Sequence, residues 1–124
     1  MNRPSPSPDA TPDWGAGLDR QRADILARIG DLTAQVADFV ESASSTTGDD
    51  EHDPEGATVG FERAQALALL EQARDDLAAV DAAACRLVAG SYGRCAGCGA
   101  PIGAERLLAR PSAEYCIACA TRRR

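Results

Sequence analysis

The sequence predicts an all-α-dominated fold, an antiparallel two-helix coiled-coil hairpin followed by a small four-cysteine zinc finger. Three observations predict it. Apolar residues alternate at spacings of four and three along two stretches, residues 18–39 and 59–87. A polar segment rich in Ser, Thr, Asp and Glu separates those stretches. Four of the five cysteines form two Cys-x-x-Cys pairs near the end of the chain.

Composition sets the scale. The 124 residues suffice for one domain or two small modules. Hydrophobic residues make up 44%, but many are alanine, and the only aromatics are Trp14, Phe39, Phe61, Tyr92 and Tyr115. Such a chain suits thin helical packing better than a thick core. Residues 1–89 hold seven Arg against seventeen Asp and Glu, a charge of −10, whereas residues 90–124 hold six Arg against Glu105 and Glu114, a charge of +4. An acidic body argues against general nucleic-acid binding, which needs cationic surface to displace counterions, and no direct sequence-specific DNA binding is expected. It suits a partner with a basic groove or channel. No apolar run approaches the roughly 20 residues of a membrane span. The first twelve residues offer no apolar stretch for a secretory signal. A cytoplasmic location is therefore expected, where thiols stay reduced and clustered cysteines hold metal more often than they form disulfides.

Residues 1–13 carry four prolines and no apolar pattern, so a disordered N-terminal arm is expected. The hairpin is expected over 14–89. Its first helix should begin between Asp13 and Leu18. Its seam reads Leu18, Arg22, Ile25, Ile29, Leu32, Val36 and Phe39, with only Arg22 polar. Residues 44–57 are expected to form the tip loop. Asp53 can cap the second helix with Pro54 at its first position, or Thr58 can cap instead. The second seam reads Val59, Arg63, Ala66, Leu70, Ala73, Leu77, Val80, Ala84 and Leu87, and Gly90 ends the helix. Each stripe needs a partner, and folding back supplies it within one chain, so a monomer is expected. Helices of about 25–30 residues would span roughly 40–45 Å. That arrangement would bring Trp14 and Val88 together at the base. Cys85, beside the Ala84 seam position, reads as a small buried hydrophobe.

The finger is expected over 90–124. Cys95-x2-Cys98 and Cys116-x2-Cys119 are seventeen residues apart, within the spacer range of two-knuckle zinc sites. Zinc takes four soft ligands at tetrahedral corners, about 2.3 Å from sulfur. Gly97 and Gly99 around Cys98 allow the tight turn such a knuckle needs. Disulfides, dithiol redox chemistry and iron–sulfur clusters also use cysteine pairs. The two pairs and their spacer together favour one structural Zn²⁺ held by Cys95, Cys98, Cys116 and Cys119. Arg94, Arg106, Arg110 and Arg122–Arg124 can offset the −2 charge of a four-thiolate site. Four thiolates leave no open position for catalysis. With one histidine and no phosphate-binding loop, an enzyme is not expected.

The finger carries more than its cysteines. Gly90, Tyr92, Gly93, Gly99, Ile102, Arg106, Leu107, Ala109, Arg110, Pro111 and Ala113 complete a pattern that resembles the zinc finger of the DksA/TraR family, and the preceding hairpin extends the likeness over roughly residues 14–124. The resemblance implies a non-enzymatic regulator that binds bacterial RNA polymerase. Its coiled coil would enter the secondary channel and bring an acidic tip toward the active site, in some members together with ppGpp. Residues 49–55, Asp-Asp-Glu-His-Asp-Pro-Glu, supply such a tip. Well-studied members carry Asp-x-x-Asp-x-Ala there. Aligned on Ala57 and Thr58, this chain has His52, Asp53, Pro54, Glu55, Gly56 and Ala57. Asp53, Glu55 and Ala57 are thus the polymerase-facing candidates. Rival readings are a zinc-stabilised protein-interaction adaptor and a thiol–zinc redox sensor.

Overall fold

The computed structural model describes residues 12–45 and 54–123. Four helices run in order, α1 (Trp14–Ser45), α2 (Pro54–Ala89), α3 (Ala104–Ala109) and α4 (Ile117–Arg122). Among the described residues there is no strand, only one isolated antiparallel bridge between Arg94 and Pro101. None of these helices is long and apolar enough to cross a membrane.

Helices α1 and α2 form the rod. Asp13 starts α1 by accepting the Ala16 N–H at its Oδ1, 3.0 Å, which satisfies one of the unpaired donors of a helix N-terminus. The helix then runs 32 residues, through Ser45. Helix α2 runs 36 residues and begins on Pro54, whose ring presets φ and whose missing N–H costs nothing at a first helical position. Both exceed the expected 25–30 residues. Residues 44, 45 and 54–57, expected in the tip loop, are helical. Ser44 and Ser45 do not break a helix that is already propagating, and Pro54 and Glu55 suit a first helical turn. Residues 46–53, including His52 and Asp53, and the expected arm residues 1–11 lie outside the described residues.

Helix α2 stops at a Schellman cap. Gly90 takes φ +81°. Its N–H donates to the Leu87 carbonyl at 3.3 Å and the Ser91 N–H donates to the Arg86 carbonyl at 2.9 Å. Only glycine enters this left-handed conformation cheaply.

The helices pack antiparallel. Leu18 and Ile25 bury with Val80 and Ala83, while Leu32 buries with Leu70 and Ala73. Ile29 bridges both groups. Interhelical pairs follow the same register: Arg22 Nε lies 2.9 Å from Asp81 Oδ1, and Arg28 Nη1 lies 3.4 Å from Asp76 Oδ2. Arg22, the polar break in the first seam, thus reaches across to an acid. Both partners of that pair are about half exposed, 47% and 50%, so its stabilisation is below about 1 kcal/mol.

The seam departs from expectation at its C-terminal end. Ala83, not Ala84, is buried, and Cys85 is exposed. A strict seven-residue repeat drifts by about 20° per heptad on a straight helix, so the contact line eventually steps by one residue. Val88 is 91% exposed and does not join Trp14. Leu87 faces the start of α1 instead, with its Cδ2 3.6 Å from where a Cβ on Gly15 would sit. The finger packs on this end of the rod through Tyr92. That side chain contacts both the Leu18–Val80 cluster and the finger cluster of Cys95, Ile102, Leu107 and Cys119.

Candidate metal centre

The first cysteine pair sits on a tight hairpin. Cys95 N–H donates to the Ala100 carbonyl at 2.8 Å, Gly99 N–H to the Cys95 carbonyl at 2.9 Å, and Ile102 N–H to the Gly93 carbonyl at 2.6 Å. Gly93 and Gly99 take φ of +83° and +75°. The second pair straddles the start of α4, with Cys116 immediately before it and Cys119 in its first turn. Ala96 N–H donates to the Glu114 carbonyl at 2.9 Å, tying the two knuckles together.

These turns bring the four sulfurs within 4.8 Å of one another. Cys98 Sγ and Cys116 Sγ are 3.9 Å apart. A tetrahedral zinc with 2.3 Å bonds needs sulfurs about 3.8 Å apart, so the donor set fits. The cysteines are free thiols. Cys95 and Cys119 are buried, Cys116 is half-buried and Cys98 faces solvent.

The surroundings favour negative charge on sulfur. The N–H groups of Gly97 and Cys116 both donate to Cys95 Sγ, each at 3.3 Å. The Cys116 N–H is the largest influence on the Cys95 thiol, and with the other amide donors it outweighs burial, pulling the thiol down to about 6. Cys119 moves the other way, to about 12, chiefly because its proton is held in a hydrogen bond with Cys95 and next with Cys116. Metal binds thiolate and not thiol, so loading releases whatever protons the sulfurs carry.

Of the arginines expected to offset the thiolates, Arg122 does so directly, with Nη2 3.3 Å from Cys119 Sγ. Arg106 instead donates from Nε to the Tyr115 carbonyl at 2.9 Å, and Arg123 lies over the Tyr115 ring at 4.4 Å. These two brace the segment just before Cys116. Arg124 is outside the described residues. Tyr92 completes the frame. Its hydroxyl donates to the Pro111 carbonyl at 2.7 Å, and its ring packs on Trp14 with centroids 5.7 Å apart.

Two contributions were not read from the sequence. One is the Cys116 amide donating to a sulfur 21 residues earlier in the chain. The other is the reason for Gly97. Its φ is not positive, but a Cβ there would lie 3.0 Å from Cys119 Sγ. Adjacency to Cys98 is the only sequence signal for Gly97, and nothing in the sequence marks the Cys116 amide.

Residues 90–124 match the family described as the prokaryotic dksA/traR C4-type zinc finger. The RNA polymerase-binding transcription factor DksA from each of two strains of Caulobacter vibrioides, NA1000 / CB15N and ATCC 19089 / CIP 103742 / CB 15, is 30% identical over 104 residues. Those alignments cover 84% of this chain and 63% of each relative. The structure of transcription factor DksA2 from Pseudomonas aeruginosa superposes with a TM-score of 0.72 at 34% identity, covering 89% of this chain and 79% of that one. The chain belongs to the DksA/TraR family. Its C4 finger brings four cysteines close enough to bind one metal ion, and two long packed helices precede it, as expected for a DksA/TraR protein. The chain spans 63% of the length of the Caulobacter relatives.

Of the tip candidates, Ala57 is exposed on the first turn of α2. Glu55 lies in the same helix, and its side chain is not among those described. Asp53 lies outside the described residues.

Proposed function

We propose that this protein is a non-enzymatic transcription regulator that binds bacterial RNA polymerase. Cys95, Cys98, Cys116 and Cys119 hold one zinc ion, whose contribution is to crosslink the two knuckles and fix the finger against the base of the rod. The rod enters the secondary channel and presents Asp53, Glu55 and Ala57 near the active site. The observation that carries this reading is the likeness to DksA2 across rod and finger together. The Caulobacter relatives are RNA polymerase-binding transcription factors, which supplies the partner. Rod length and charge agree with it. Helix α2 has 36 residues, roughly 54 Å at the helical rise. The acidic stretch over 1–89 would be drawn into a basic-walled channel.

Retention of the zinc-loaded protein by purified bacterial RNA polymerase tests the reading, paired with an in vitro initiation assay. The wild type is expected to be retained and to alter initiation. Asp53→Ala combined with Glu55→Ala is expected to leave the fold intact and to remove most of the effect on initiation. Absence of retention would sink the polymerase reading. An unchanged initiation effect in the double variant would sink the tip mechanism alone.

A further inference from the structure

Helix α2 spends one face on the seam with α1. Away from that seam, in the half of the helix nearer its start, Phe61 stands 74% exposed. Steps of three and four residues from Phe61 reach Ala57, Ala64, Gln65 and Ala68, all exposed, and a further step reaches Gln72. This strip is uncharged over roughly 22 Å of helix. Acids border it: Glu62 and Glu71 sit about 80–100° round the helix from Phe61, and Gln72 at its far end donates to Asp76 at 3.0 Å. A run of alanines and uncharged glutamines with one protruding ring is the form of an anchor residue set in a shallow contact surface. Phe61 contributes nothing to the rod's own buried clusters.

We propose that this face docks the rod on RNA polymerase, with Phe61 inserted into an uncharged apolar pocket in the wall of a basic-lined channel. This inference rests on the polymerase reading above and deepens it. Charge decides between occupants. A second copy would set two acidic rods side by side, each with −10 over residues 1–89, and like charges at an interface oppose association. A basic wall attracts the flanking acids and leaves the uncharged strip to meet apolar surface. Position agrees as well. Ala57, one turn before Phe61, is both on this strip and a tip candidate, so docking face and tip are continuous.

The test measures affinity for purified RNA polymerase with zinc-loaded wild type, Phe61→Ser, Phe61→Leu and Val88→Ser. Val88 is a control, an exposed apolar residue on the same helix roughly 40 Å from Phe61. Circular dichroism melts establish that each variant folds, and sedimentation establishes oligomeric state. Expected is a loss of about tenfold or more for Phe61→Ser, partial retention for Phe61→Leu, and a change below about twofold for Val88→Ser. Wild-type binding with Phe61→Ser within about twofold would overturn the docking face and leave the polymerase reading standing. No wild-type binding would overturn both. A wild-type dimer that Phe61→Ser converts to monomer would reassign the face to self-association and overturn the proposal.

Discussion

Three glycines of the finger do different work. Gly93 and Gly99 occupy left-handed backbone, where a Cβ meets the following carbonyl at a cost of roughly 1–2 kcal/mol. Gly97 is needed for space beside Cys119 Sγ. Gly97→Ala is therefore expected to weaken zinc binding by about tenfold or more, since the added methyl must displace a metal-binding sulfur. Gly103→Ala is the comparison, because nothing lies within 4 Å of a Cβ there and its φ is −57°. It should leave affinity unchanged. Competition against a chromophoric zinc chelator reads both, and equal affinities for the two variants would refute the steric argument.

At the scale of the helix, the rod is thin and each buried side chain matters. Ile25 is 2% exposed and packs with Leu18, Val80 and Ala83. Ile25→Ala removes three carbons and leaves a void that two facing helices can only partly close, so it should cost about 3 kcal/mol. A urea melt followed at 222 nm measures this. A loss below about 1 kcal/mol would mean that the helices slide together freely. The interhelical ion pairs contribute less, because their half-exposed partners remain solvated. Their geometry favours the antiparallel register, and apolar burial supplies most of its stability.

At the scale of the molecule, two modules of opposite charge are joined through two aromatic side chains, Tyr92 and Trp14, which both pack on the finger cluster. Tyr92 touches both clusters, packs at a tilt against Trp14 and bonds to Pro111. Among the described residues of the finger, two of the four that are buried are cysteines of the metal site, so the module has little apolar core of its own and depends on the ion. The rod has its own buried seam. Chelation of zinc is therefore expected to unfold α3 and α4 while most of the signal at 222 nm persists. Fluorescence of Trp14 should shift to the red as its contact with Tyr92 is lost. Collapse of the helical signal along with the finger would show instead that the rod cannot stand alone.

The sequence by itself determined most of the two seams, the stop at Gly90 and the pairing of Cys95 and Cys98 with Cys116 and Cys119 as one site. These features are local or periodic: a helix stripe, a left-handed cap and a two-knuckle spacing leave their mark in neighbouring residues. Only the tertiary structure decided what lies at longer range. It chose Ala83 over Ala84 and left Cys85 and Val88 in solvent, because accumulated helical drift is settled by the facing helix. It sent Arg106 to a carbonyl and Arg122 to a sulfur, a choice that depends on where distant backbone groups come to rest. It turned Phe61 outward, which the second stripe permits but does not require. Spacing alone marked the four cysteines as one site. Packing fixed the amides and the arginine that face them.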